Sequence, residues 1–380
     1  YLVLAEEGAE EIAAQSAWLD RFEVEHDNFR LALDYLIKTG DAEWALRMAA
    51  ALFRFWETRE HFTESREVIA RVLALEGTAA RPKLRARLLF AAGVLAGEQG
   101  DYESGHRIFE ESLEICVGLG DKRGVAVALN ALAVNSRERS DISAASLLLE
   151  RSVEIWKEVG DAADIARALS NLASFMKLQG DYARASSLYN ECLTVFRNVG
   201  DDAGAAWTLN YLGDVSRETG DFGAARSFCE RSLKEFRRLG DGWGIASVLS
   251  DLASLCSDQG DNREACRLYG ESIKMFQELG YKRGIARALE CLATSAAAQS
   301  NPERSLRLAG AAAALRQRLG APLTPSEQAR LERALEFARR TIGSAASLAA
   351  WMKGWEMPLD QATQEALICD AEPSPRNLSV

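Results

Sequence analysis

The sequence predicts an all-α protein: a right-handed superhelical solenoid of antiparallel helix pairs, with helical caps at both ends. Three observations predict it. The dipeptide Gly-Asp recurs at Gly100, Gly120, Gly160, Gly180, Gly200, Gly220, Gly240 and Gly260, a half-period of 20 within a period of 40 residues. Between these marks, apolar residues such as Ile165, Leu169, Leu172 and Met176 recur at three- and four-residue spacing, the mark of one helical stripe. Small residues hold fixed places in every copy. Gly suits the left-handed backbone that ends a helix, and the following Asp offers an oxygen to the free N–H groups of the next one. A single hairpin cannot bury its apolar face, so each needs a neighbour.

Taken in order, residues 9–38 read as a helical pattern with Trp18, Phe22, Phe29, Leu33 and Leu36 on one face. After Gly40-Asp41, residues 41–75 form a divergent hairpin whose Trp44, Phe53, Phe55, Trp56 and Phe62 suit a bulky end cap. Residues 1–82 thus make an N-terminal cap and divergent repeat. Six 40-residue units then span 83–320. One first-helix position reads Leu89, Leu129, Leu169, Leu209, Leu249, Leu289, and four residues later comes Gly93, Ala133, Ala173, Gly213, Ala253, Ala293. A second-helix position reads Gly105, Ala145, Ala185, Ala225, Ala265, Ser305. Small residues at fixed places let helix backbones approach, and Trp156, Phe196, Phe236 and Phe276 fill space elsewhere. Residues 321–368 read as a C-terminal helical cap, opening on Thr324-Pro325-Ser326-Glu327 and interrupted at Gly343. Residues 369–380 read as a disordered tail.

This is the pattern of tetratricopeptide repeats lengthened from about 34 to 40 residues; HEAT and armadillo repeats, at about 40 to 47, are the competing type. The paired small positions and even halves favour the former. Composition fits, with 48% hydrophobic and 27% charged residues marking a folded chain. The net charge of −11 argues against a general nucleic-acid or anionic-membrane surface. No apolar run approaches a membrane span of about 18 to 20 residues. Seven cysteines without a C-x-x-C pair read as reduced core residues of a cytoplasmic protein.

The chain also resembles the C-terminal repeat domain of bacterial STAND (NB-ARC-like) ATPase regulators. Three stretches carry the likeness: WLDRFEVEHDNFRLALDYLIKTGD (18–41), the LGD/QGD array (83–300), and NPERSLRLAGAAAALRQRLGAPLTPSEQARLERAL (301–335) with the later WMKGWEMPLDQATQEAL. The resemblance implies a sensor arm that binds a protein or peptide segment, or a small-molecule inducer, and controls an ATPase in the same polypeptide. The chain holds no G-x-x-x-x-G-K-[ST] segment, and it opens on Tyr1, so that ATPase is expected upstream. A free-standing scaffold that joins proteins is the alternative.

Catalytic patterns are missing: there is no G-x-S-x-G, H-E-x-x-H or EF-hand loop. His26, His61 and His106 lie far apart in sequence, and Glu23, Glu25 and Asp27 beside His26 read as a solvated acidic face. No enzyme activity, cofactor, metal site or direct nucleic-acid contact is expected. The family resemblance places first helices on the inside of the superhelix. The residues it turns there are Arg167, Asn171, Lys177, Trp207, Asn210, Tyr211, Asp214, Arg217, Asp251 and Arg287, whereas the second repeat offers the plainer Val127, Asn130, Ala131, Val134, Arg137 and Glu138. Trp207 and Tyr211, one helical turn apart, suit a partner better than water.

Overall fold

At the Gly-Asp pairs spaced 20 or 40 residues apart, such as 100–101, 180–181 and 200–201, the chain turns from one helix into the next. In the computed structural model, which describes residues 1–11, 17–139 and 141–367, all regular structure is helical. At Gly40 the backbone adopts φ 73°, the Gly40 N–H bonds to the Ile37 carbonyl, and the Asp41 N–H reaches back to Leu36. That pair of bonds satisfies carbonyls the helix leaves orphaned. The Asp side chain then caps the next helix: Asp181 accepts from the Arg184 N–H at 3.1 Å and Asp201 from Gly204 at 2.8 Å. Ser140, in one variant of the junction, lies outside the described residues, as does the tail at 369–380.

The helices fall into two compact units, residues 1–175 with 319–324, and residues 176–318 with 325–380. The first unit opens with α1 (Leu2–Glu11), α2 (Ala17–Val24), α3 (His26–Thr39), α4 (Ala42–Thr58) and α5 (Phe62–Leu73). The helical pattern expected over 9–38 is broken at Glu25, whose φ of −89° and ψ of 3° separate α2 from α3. The break brings Phe22 and Phe29 to 5.0 Å, with Phe55 at 5.6 Å from Phe22. These rings, with Trp56, Phe62, Leu46 and Leu52, form the N-terminal core, and Ala321 joins it. Trp44, expected among those aromatics, is 52% exposed. Its place in the first turn of α4, beside the capping Asp41, leaves it outside that core.

Repeats follow as pairs: α6 (Pro82–Glu98) with α7 (Tyr102–Gly118), then α8 (Lys122–Glu138) with α9 (Ile142–Val159). Helix α10 (Ala162–Leu178) spans the division between units. The second unit continues with α11 (Tyr182–Val199), α12 (Asp202–Glu218), α13 (Phe222–Leu239), α14 (Gly242–Asp258), α15 (Asn262–Glu278), α16 (Lys282–Ala298) and α17 (Pro302–Leu319). The small positions are buried as close contacts. Ala145, Ala185, Ala225 and Ala265 are at most 1% exposed, and a Cβ added at Gly213 would lie 2.6 Å from Cys229 Sγ. A second device repeats with them. Ser112, Ser152, Ser232 and Ser272, all buried, donate from Oγ to the carbonyls of Ala86, Ala126, Ala206 and Ala246 at 2.7–3.0 Å. Each ties a second helix to its own first helix, contributing about 0.5–1.5 kcal/mol. In the third repeat the same position holds Cys192, whose thiol burial pushes up to about 12.

At the C-terminus α18 (Pro325–Trp355) starts on Pro325 and breaks at Gly343 (φ 77°, ψ 167°), as the sequence predicts, and α19 (Leu359–Ala366) follows. Two glycines fix this end. A Cβ on Gly310 of α17 would collide with the Trp351 carbonyl, and one on Gly354 with the Arg307 carbonyl. Arg307 also pairs with Glu365 at 2.7 Å. The cysteine reading is corrected here. Among the described residues five cysteines are free, but Cys266, whose Sγ lies 3.7 Å from the Ala366 carbonyl oxygen, is disulfide-bonded.

Candidate functional site

Because every repeat has the same length, residues of one first helix meet residues of the next at separations of 36 to 41 positions. In the first unit, Asn171 Nδ2 donates to Asn130 Oδ1 at 2.9 Å, and exposed Arg167 pairs with Asp164 at 2.7 Å. The other eight candidate residues belong to the second unit. Lys177 pairs with Asp214, which Arg217 meets at 3.2 Å; Arg217 also reaches Asp258 and Glu218, each at 2.8 Å. Asn210 donates to Asp251 Oδ2 at 2.7 Å, and Arg287 holds Asp251 Oδ1 at 3.3 Å. These polar residues link α10, α12, α14 and α16 into a ladder. Burial alone would push the Asp214 carboxyl up, but the Lys177 and Arg217 charges outweigh it and hold it below the usual carboxylate range.

The ladder changes what the candidates can offer. Asn210 is only 4% exposed, so its amide is committed to Asp251 and is not available at the surface. The Arg287 side chain is 61% exposed. Asp251 and Asp214 stay partly open at 25% and 29%. The surface therefore presents charge already in pairs.

Beside the ladder runs a row of rings. Tyr211 lies 5.4 Å from buried Tyr189 and stacks on Trp207 at 6.1 Å. Trp207 rests edge-on against core Phe236 at 4.8 Å and meets Trp243 at 4.6 Å; Trp243 meets Tyr281 at 6.2 Å. Burial, then the Asp251 charge, raises the Tyr211 hydroxyl pKa above its ordinary value, so it stays a neutral donor. Trp243 is 44% exposed and was not among the residues singled out from sequence. The available signal was its place between Gly242 and Gly244 in the first turn of α14. Gly244 is needed there because a Cβ would strike the Phe236 ring. Tyr281 occupies a position that elsewhere holds the capping Asp, and it makes no side-chain cap bond. The arrangement places half-covered aromatic faces on three successive first helices, next to fixed carboxylates and a guanidinium.

The tetratricopeptide repeat profile matches residues 84–158, 164–237 and 205–278. The solved structure of NprR in complex with its cognate peptide NprX is 15% identical, with a TM-score of 0.55 over 92% of this chain and 97% of that one. A Rap protein complexed with Competence and Sporulation Factor is 12% identical, with a TM-score of 0.53 over 83% of this chain and 98% of that chain. The STAND protein PH0952 from Pyrococcus horikoshii, described as having a tetratricopeptide repeat sensor, is 15% identical with a TM-score of 0.51. That match covers 90% of this chain and 55% of the other. At such identities the likeness is one of fold. No curated protein matches the sequence. No helix among the described residues is long and apolar enough to cross a membrane. With half of its length matched by the repeat profile, the chain belongs to the tetratricopeptide-repeat family.

Proposed function

We propose that this chain is the non-enzymatic sensing segment of a signalling ATPase, and that it recognises an extended peptide or protein segment on α12, α14 and α16. The observation that carries the reading is the aromatic row Tyr211–Trp207–Trp243–Tyr281, whose rings keep partly exposed faces beside the Asp251–Arg287 pair. Aromatic faces supply apolar contact to a partner's side chains, and the paired charges fix direction. A purely anionic ligand fits less well, because Asp214 and Asp251 stand among the cations. NprR, which shares the fold, was solved with its cognate peptide, so a solenoid of this kind accommodates such a ligand. The ATPase context rests on the resemblance of residues 18–41 and 301–335 to STAND regulators, and on the fold shared with PH0952. Control of transcription, in a bacterial cytoplasm, belongs to the same reading.

The test is selection of peptides from a random library on the intact chain, followed by affinity measurement. Trp243→Ala, at an exposed position, should weaken selected peptides by about tenfold or more, the loss expected of an aromatic anchor, with the melting temperature nearly unchanged. Peptides bound equally well by Trp243→Ala and Tyr211→Ala would place recognition elsewhere.

A further inference from the structure

The junction between α4 and α5 lacks both the corner glycine and the side-chain cap that most of the repeat junctions have. Register puts Gly-Asp at its corner, as at residues 40–41 and 100–101, but the chain has Glu60 and His61. Glu60 takes the left-handed conformation, φ 64°, that the neighbouring junctions give to glycine, and this is unfavourable for a residue with a Cβ. His61 stands at the N-cap of α5 and makes no side-chain cap bond. A corner that forgoes both its glycine and its cap is a place where strain has been retained for another use.

His61 is turned toward the α2–α3 corner. Two of the chain's three histidines, 35 positions apart in sequence, come together there, with the His26 and His61 ring centroids 4.3 Å apart. The sequence had separated them; the hairpin closes the gap. Both rings rest against Phe55, at 5.4 and 5.3 Å. His61 Nε2 lies 3.4 Å from Glu23 Oε2. His26 Nε2 is fully buried and has no hydrogen-bond partner, with Glu64 Oε1 at 3.5 Å. One ligand atom from each of Glu23, His26 and His61 lies within 4.8 Å of the others. The surrounding cations have acids of their own: Arg30 holds Glu64 at 2.9 Å, and Arg59 is bound to Asp20, leaving Glu23 with Arg59 Nε only at 4.0 Å.

We propose that Glu23, His26 and His61 form a site for a divalent transition-metal ion of the Zn2+ class, clamping the α2–α3 corner to the α4–α5 corner. Two imidazoles and one carboxylate are a donor set that suits Zn2+ and its neighbours better than Mg2+ or Ca2+, which prefer oxygen. The 3.4 Å between His61 and Glu23 is already the separation of two ligands on a tetrahedral ion with bonds of ~2.0–2.2 Å. Ring adjustment about Phe55 brings His26 in. Three protein ligands leave a fourth position for water or for Glu64.

The probe is metal alone, added to the chelator-stripped, tag-free 380-residue chain under reducing conditions. One equivalent of Zn2+ should raise the melting temperature, and Co2+ should give the visible absorption of a four-coordinate site. His61→Asn removes a ligand yet supplies a good cap. It should therefore abolish the metal-dependent rise while melting, without metal, at or above the parent temperature. Glu23→Gln, at an exposed position, should weaken the site ~10-fold or more, and His106→Gln should leave it intact. Absence of any Zn2+- or Co2+-dependent change in the parent chain overturns the proposal. So does a full Zn2+ response in both His61→Asn and Glu23→Gln, which would place the metal elsewhere.

Discussion

Helices α8 and α12 occupy the same place in their repeats and show how little of a repeat's surface its fold dictates. Their buried positions match, Leu129 with Leu209 and Ala133 with Gly213, and so do the capping Asp121 and Asp201. Their exposed faces diverge. Where α12 carries Trp207, Tyr211 and Asp214, α8 carries Val127, Ala131 and Val134. Val127 and Val134 stand 37% and 42% exposed, whereas Asp214 is locked to Lys177 and Arg217 and Trp207 rests on Phe236. Packing constrains only the residues a neighbouring helix touches, so the remaining face is free to be specialised. The proposed binding surface takes one of the two faces to be so specialised.

If that is right, the two regions should respond alike to damage in the core. Ala145→Leu in α9 and Ala225→Leu in α13 fill equivalent contacts, 0% and 1% exposed, and each should cost ~1–3 kcal/mol by overpacking. Chemical denaturation of the two variants checks this. A parent-like stability in one of them would show that the repeats do not share a register.

The faces, by contrast, should differ in their response to acid. The Asp214 pKa is depressed when folded, so its contribution is complete above the unfolded value of about 3.9 and is lost as pH falls through the folded value. The Lys177–Asp214–Arg217 cluster is partly exposed, which limits that contribution to ~1 kcal/mol or less. Asp214→Val, giving α12 the residue of α8, should therefore be slightly less stable than the parent at pH 7. The gap should close as the pH is lowered through the acid range, as followed by denaturation at successive pH values. A gap that stays constant would mean that the ion pairs are not its source.

Much of this was legible in the sequence, for identifiable reasons. Gly-Asp junctions, apolar stripes and small positions are short-range demands, so they are written at fixed spacing. The serine clips at Ser112, Ser152, Ser232 and Ser272 were written as regularly but hide among polar residues that look solvated. The close approaches at Gly310 and Gly354 and the meeting of His26 with His61 depend on which helix lies beside which, and no local pattern reports that. The candidate face was only partly legible. Trp207 and Tyr211 declare themselves by a one-turn spacing, Trp243 comes from the next repeat, and burial of Asn210 follows from its bond to Asp251.

The most direct test gives α12 the face of α8 in one variant carrying Trp207→Val, Tyr211→Ala and Asp214→Val. Since α8 folds with those residues at the same positions, far-UV circular dichroism should remain wholly helical and melting cooperative, at a somewhat lower temperature because Trp207 no longer covers Phe236. Affinity for peptides selected on the parent chain is the measurement. If the α12 face is the binding surface, binding is lost in this variant and kept when Val127 and Val134 are both replaced by Ala. Binding that survives the α12 exchange in a folded chain would contradict it.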